Sequence, residues 1–233
     1  MMSARPSARH QSPTTARSGV IFDMDGVLVD SHPAHRKAWR AFLSTLGKDL
    51  SDQELDFILD GRKRQEILRH FLGDATDQQI QEHGARKDEF FQRISLEVEP
   101  IPGAIEFISK LRGSGIPLAV ATSASRSRTI STLNRMGLSQ YFSVVVTGDD
   151  VMAGKPDPEI YKLACRKLKV NVATSVALED AVSGIHAAKS AGLRCIGVSG
   201  ASPQDRLRSA GADKIIRDFA GLTVADLQPL LKQ

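Results

Sequence analysis

Residues 18–31 read SGVIFDMDGVLVDS. The apolar run Val20-Ile21-Phe22 has the composition of a short strand buried on both faces, and charge inside such a strand is unfavourable unless it is used. Asp23 ends the run, Asp25 follows two residues later, and Gly26 breaks the pattern. Carboxylates placed where a strand gives way to a Gly turn lie at the carboxyl end of a sheet, where open α/β sheets bind their ligands. If the backbone stays extended, the period of two puts Asp23 and Asp25 on the same side. Two carboxylates about 4 Å apart repel by roughly 4 kcal/mol at an effective dielectric near 20. A bound cation or a shared proton would relieve that repulsion. Taken alone, the stretch also fits a polar strand end with a turn, and the rest of the chain decides between the two.

Working outward, the segment from about Ser31 to Pro100 carries helical periodicity and no β-run. Ala38, Trp39, Phe42, Leu43 and Leu46 recur on one face until Gly47. Ser51 with Glu54 reads as a capping box for a second helix bearing Leu55, Ile58 and Leu59. After Gly61, a third helix carries Ile67, Leu68, Phe71 and Leu72, and Thr76 opens a longer fourth helix to about Val98. Trp39 reads as a packing residue of this block.

From Pro102 onward helices and strands alternate. Ile105, Ile108 and Leu111 mark a helix face, and residues 117–122, 142–147, 175–178, 194–198 and 214–216 read as strands. That alternation predicts right-handed crossovers and a parallel, three-layer α/β sheet. The expected organisation is a Rossmann-like core of residues 18–30 plus 100–233, interrupted by an all-helical cap over 31–99. Residues 1–17 are rich in Ser, Arg, Pro and Thr without periodicity, and read as a disordered extension. Being Arg- and Ser-rich and acid-free, the tail also fits a transit peptide.

Charge and composition exclude several classes. The net charge is +4, but Arg5, Arg9 and Arg17 all precede the first acid; without those three arginines it is +1. A near-neutral folded part with 5% aromatic residues offers neither the basic footprint nor the stacking platform of a nucleic-acid binder. No run of 18 apolar residues is present to span a membrane. Cys165 and Cys195 lie in apolar segments without metal-ligand spacing, as expected of reduced core thiols in a cytoplasmic protein. The expected state is a monomer.

Four strand ends carry reactive or phosphate-compatible groups. They are Asp23 and Asp25, Thr122-Ser123-Ala124-Ser125, Gly154-Lys155-Pro156-Asp157, and Glu179-Asp180. Asp23, Asp25, Glu179 and Asp180 hold more negative charge than Lys155 offsets, so a hard cation with oxygen ligands is expected. Mg²⁺, bound by one or two carboxylates plus phosphate and water, fits best. Ser123, Ala124 and the amides opening the following helix would cradle phosphate oxygens. Lys155 would neutralise charge between nucleophile and phosphate.

The segments DMDGVLVDS, ATSAS, GKPDPEIY and ALEDAVSGIHAAKSAGL resemble, in order and spacing, the four motifs of the haloacid dehalogenase superfamily. The resemblance runs from residue 18 to about 200, in the branch with a helical cap after the first strand. It implies that Asp23 is a nucleophile forming an aspartyl-phosphate and that Asp25 is the acid/base. Ser123 would bind the phosphate, Lys155 would bridge it to Asp23, and Glu179 with Asp180 would hold Mg²⁺. The family's remaining metal ligand is the backbone carbonyl at Asp25. An Asp at this position argues against dehalogenase and phosphonate-cleaving activities.

The cap is similar to that of β-phosphoglucomutase and its phosphatase relatives. On that likeness His35 would position the acid/base, Arg64 would grip a distal phosphate, and Lys87 would help hold a sugar phosphate. Arg62 and Lys63 make this loop more basic than the mutase's, and Asp88 replaces an amide, which points to a substrate of different shape. The implied activity is a Mg²⁺-dependent phosphatase of small phosphorylated metabolites such as sugar phosphates. A phosphomutase with the same core chemistry is the alternative, and an inactive binding protein on this fold a remoter one. His10, His32, His70, His83 and His186 have no partner visible in the sequence.

Overall fold

A computed structural model describes residues 17–200 and 202–231. The expected disorder of the N-terminal extension therefore lies outside the described residues, except at Arg17. That residue is ordered, bridging to Val170 and accepting the Asn171 amide at 2.9 Å.

Among the described residues, six short strands form one parallel sheet: β1 (Val20–Phe22), β2 (Leu118–Ala121), β3 (Val144–Val146), β4 (Val176–Glu179), β5 (Arg194–Val198) and β6 (Lys214–Ile216). Their order is β3-β2-β1-β4-β5-β6, so β1 is central and the chain turns outward on either side of it. The crevice between β1 and its neighbours is therefore the topological switch point where such sheets bind ligands.

Alternation along the strands explains the layering. Val20 and Phe22, Leu118 and Val120, Val176 and Leu178, and Ile196 and Val198 face one side. There they meet Phe107, Ile108 and Leu111 of α5 (Ala104–Gly113), with Leu133 of α6 (Arg126–Arg135). The opposite face presents Ile21 among mostly small residues: Ala119, Ala121, Ala177 and Cys195. Against it lie α7 (Glu159–Leu168) and α8 (Val182–Ala191), which bring Tyr161, Ala164, Cys165, Ala187 and Ala188. Both cysteines are buried free thiols there. On α5 the buried stripe runs through Ala104, Phe107, Ile108 and Leu111, and Ile105 is 39% exposed, contrary to the face read from sequence. The short α9 (Gln204–Ser209) and α10 (Gln228–Leu231) complete the layers.

Between β1 and β2 stand α1 (His32–Ser44), α2 (Asp52–Ile58), α3 (Arg64–Leu72) and α4 (Asp77–Ile94). Both anticipated caps form. The Ser51 amide donates to Glu54 Oε2 at 2.8 Å, and Thr76 and Gln79 make the same reciprocal pair at the start of α4. Trp39, Phe42, Leu43, Leu55, Ile67 and Ile80 build a separate small core. Ala34, Ala38 and Phe91 pack instead with the main core, so α1 and α4 anchor the helical block to the sheet.

Candidate active site

The Asp23 amide continues the ladder by donating to Leu178 O at 3.0 Å, which fixes the residue at the mouth of the β1–β4 crevice. Its Oδ1 accepts from Lys155 Nζ at 2.6 Å, and the same ammonium group donates to Glu179 Oε1. Glu179 Oε1 also accepts from the Tyr161 hydroxyl at 2.6 Å, while Oε2 takes the amides of Asp180 and Ala181 at 3.1 and 3.3 Å. Lys155 is 1% exposed. Burial alone would lower its pKa, but Asp23 and Glu179 more than offset that and raise it, so it stays an ammonium. Burial pushes the Asp23 carboxyl well above the usual range against the pull of Lys155, and burial raises Asp180 as well.

Asp180 completes the cluster. Asp23, Glu179 and Asp180 each offer a carboxylate oxygen, and these oxygens lie within 4.8 Å of one another. His32 Nε2 sits 3.0 Å from Asp180 Oδ2, yet that buried oxygen has no hydrogen-bond partner among the described residues. A buried carboxylate oxygen that makes no hydrogen bond, in an all-oxygen donor set, fits a hard divalent cation. Gly26 makes room for the Asp180 carboxylate. Its φ is +75°, and a Cβ there would collide with Asp180 Oδ2. Gly26→Ala is therefore expected to destabilise the fold by roughly 1–3 kcal/mol, through left-handed strain and displacement of the Asp180 carboxylate. Turnover should fall at least about tenfold, since sub-ångström placement governs such sites. Urea melts and phosphate release check both.

Asp25 does not share a cation pocket with Asp23 through its side chain, as the extended-strand reading would have it. The strand ends at Phe22 and the chain bends at Met24, and the Asp25 carboxylate is drawn to another set of donors. Arg128 grips it with both arms, Nη1 to Oδ1 at 2.9 Å and Nη2 to Oδ2 at 2.6 Å. Ser31 Oγ donates to Oδ1 at 2.7 Å, and His35 Nε2 stands 3.4 Å away. Burial would raise the Asp25 pKa, but Arg128 and His35 outweigh it and hold the carboxyl well below the usual range. Behind them, Lys87 Nζ is 3.2 Å from His35 Nδ1. While Lys87 keeps its proton it can only donate, so Nδ1 then accepts and Nε2 carries the proton toward Asp25. Burial and then Lys87 depress His35 to about 3, which keeps the ring neutral.

Burial first, then Arg128, lowers Lys87 to about 7. Between pH 7 and 9 the unfolded chain keeps a Lys87 proton that the folded protein has lost, so stability rises with pH across that window. Relative to Lys87→Met, the wild type should gain roughly 2 kcal/mol from pH 7 to pH 9. Urea unfolding at the two pH values measures it. A difference that does not change with pH would mean that Lys87 stays charged throughout.

The remaining candidates are engaged with the helical block. Ser123 Oγ donates to Gly61 O at 2.6 Å, and the Ala124 amide points to Thr122 Oγ1 at 3.2 Å. Arg64 is tied to Asp88 and to Gly84 O (3.1 Å), with Ser125 Oγ donating to the same Asp88 oxygen at 3.0 Å. Lys63 reaches across to Val151 O at 2.8 Å, and the Gly154 amide to Glu66 Oε1 at 3.1 Å. The site is thus roofed by the α2–α3 loop and floored by the strand ends.

Sequence reasoning missed Arg128, His32, Tyr161 and Ser31. Arg128 had one usable signal. It precedes Thr132 by one helical turn on the stripe that buries Thr129 and Leu133, an unusual position for a solvated charge. His32 shows no partner in the sequence because the Asp180 carboxylate it stands beside, 3.0 Å away without a hydrogen bond, is too far along the chain for any local pattern to show.

Oxygen-rich acids bridged by a buried lysine, at the carboxyl edge of a parallel sheet and under a helical roof, form the kind of site that handles phosphate esters. Comparison with known proteins agrees. The family profile of haloacid dehalogenase-like hydrolases matches residues 20–198. A phosphorylated carbohydrates phosphatase of Thermotoga maritima is 37% identical over 76% of this chain and 82% of its own. The β-phosphoglucomutase of Bacillus subtilis is 32% identical over 88% of this chain and 91% of its own. The crystal structure of CbbY from Rhodobacter sphaeroides in complex with phosphate superposes with a TM-score of 0.80 at 32% identity, covering 91% of this chain and 99% of that one. The chain belongs to the haloacid dehalogenase-like hydrolases, and within them it is a phosphatase-type enzyme close to the β-phosphoglucomutase group.

Proposed function

We propose that this enzyme is a Mg²⁺-dependent phosphatase of small phosphorylated metabolites, sugar phosphates among them, working as a cytoplasmic monomer through an aspartyl-phosphate. The observation that carries it is the Lys155 bridge between Asp23 and Glu179, beside an Asp180 oxygen that makes no hydrogen bond. Asp23 Oδ attacks phosphorus, the bond to the leaving oxygen breaks, and that oxygen takes a proton from Asp25. A water then gives a proton to Asp25 and attacks the phospho-aspartate, releasing phosphate and Asp23. Lys155 holds charge at the transferring group. Ser123 Oγ and the Ala124 amide turn to phosphate oxygens once the Gly61 carbonyl and Thr122 give them up. Mg²⁺ would be held by Asp23, Asp180 and Glu179, with the backbone carbonyl at Asp25, and would neutralise the phosphate against the acids. Residues 31–99 serve as a cap that excludes bulk water, with His35 and Lys87 orienting Asp25 and Arg64 contacting the substrate's far end.

Incubation with a panel of phosphorylated sugars and hydroxy acids, with Mg²⁺ and with EDTA, tests this reading. Mg²⁺-dependent phosphate release from at least one is expected, and release unaffected by EDTA would sink the metal assignment. The similarity to β-phosphoglucomutase supports one rival. Conversion of β-glucose 1-phosphate to glucose 6-phosphate faster than phosphate appears would establish a mutase instead.

A further inference from the structure

The proposed acid/base is held by a group that the proposed chemistry does not use. Asp25 receives both arms of Arg128 together with Ser31 and His35. A carboxylate with both oxygens so engaged cannot turn to a leaving oxygen, so a productive complex must take Arg128 off it.

Arg128 is placed for such a transfer. It is 8% exposed, comes from the first turn of α6, packs 5.1 Å from the Phe91 ring centroid, and lines the same cavity as Asp23 and Ser123. The other cations of that cavity are held within the helical block: Arg62 lies over the Phe57 ring, 4.6 Å from its centroid, with Asp60 3.9 Å away. Arg64 is committed to Asp88 and Gly84 within the helical block, and Lys87 is turned to His35. Asp25 is the carboxylate that Arg128 grips. A guanidinium fork set in bidentate geometry matches a carboxylate or a phosphate; this one already grips a carboxylate, and a carboxylate replaces it like for like when that partner leaves.

We propose that Arg128 is the specificity residue for a carboxylate on the substrate, and that its transfer from Asp25 to that carboxylate frees Asp25 to protonate the leaving oxygen. The preferred substrates are then phosphorylated sugar acids or hydroxy acids, rather than neutral sugar phosphates. This rests on the phosphatase reading above. In the transfer itself no bond is made or broken; one ion pair replaces another.

The test compares matched substrates: 6-phosphogluconate with glucose 6-phosphate, and 3-phosphoglycerate with glycerol 3-phosphate. A third pair, fructose 1,6-bisphosphate with fructose 6-phosphate, asks whether a second phosphate serves as well. Wild type should prefer the acid in at least one of the first two pairs by roughly tenfold or more in kcat/KM, the size of one charge-assisted contact. Part of the advantage should appear in kcat, because release of Asp25 changes turnover as well as binding. Arg128→Gln should erase the preference and raise kcat on the neutral partner. Arg128→Lys, which keeps charge but loses the fork, should retain only part of it.

Absence of an acid preference in wild type overturns the proposal without any variant, and so does preference confined to the bisphosphate. It falls as well if the preference survives in Arg128→Gln or is confined to KM. p-Nitrophenyl phosphate, whose leaving group needs no proton, separates the two levels. If neither it nor any of the six releases phosphate, the phosphatase reading itself fails. Release from both members of every pair at equal rates removes only the role given to Arg128.

Discussion

Replacing Asp23 with Asn is expected to cut phosphate release by roughly 10⁴-fold or more, without lowering the melting temperature of the metal-free protein. The two halves have different causes. Asn keeps the size of Asp and can still accept from Lys155, but its amide cannot form the acyl-phosphate. Stability follows from the sign of the Asp23 shift. Burial raises this carboxyl well above its ordinary value. The folded protein therefore binds a proton that the unfolded chain has shed, and an ionised Asp23 at neutral pH weighs against folding. A neutral amide removes that disadvantage, and Lys155 retains Glu179. Phosphate release, acid-quenched labelling of the protein and a thermal melt in EDTA measure the outcome. Retention of more than a tenth of wild-type turnover would remove Asp23 from the covalent step.

Legibility in the sequence followed the range of the interaction that sets each feature. Strand runs, capping boxes and Gly breaks are local, and β5 and β6 fall where their apolar runs end. Residues 142–147 shorten to Val144–Val146 because Phe142 serves as a side-chain contact, edge-on to Phe22 at 5.9 Å, rather than as a rung of the ladder. The acids of the site were legible because each terminates a strand, and a parallel sheet carries its strand ends to one edge. What could not be read was the pairing among charged groups. Arg128 and Asp25 are 103 residues apart, and Lys155 and Asp23 are 132 apart. No periodicity encodes such a meeting, so Arg128 looked like any helix cation. Period two alone suggested that Asp23 and Asp25 act side by side. It cannot foresee that the strand stops at Phe22, before either acid, and that a distant guanidinium takes the second carboxylate away.

The complementary substitution, Lys155→Met, should damage stability and activity together. Lys155 is the buried cation touching both Asp23 and Glu179, and Asp180 lies in the same cluster of oxygens. Its removal leaves buried carboxylates facing one another without compensation, a change expected to destabilise by about 3–5 kcal/mol near neutral pH. The deficit has a predictable pH dependence. Burial already raises Asp23 and Asp180, and loss of the ammonium group raises them further. From the ordinary carboxylate range up to these raised values, the folded variant binds more protons than the unfolded chain, so its stability falls as pH rises. The gap to wild type should accordingly narrow from pH 7 to pH 5. Millimolar Mg²⁺ should raise the melting temperature of the variant more than that of wild type, because binding to the folded state alone is stabilising by mass action. Lys155→Met combined with Glu179→Gln separates charge from packing. If uncompensated charge is the cause, deleting one acid recovers part of the loss, whereas a methionine that simply packs badly leaves the double variant no better than the single.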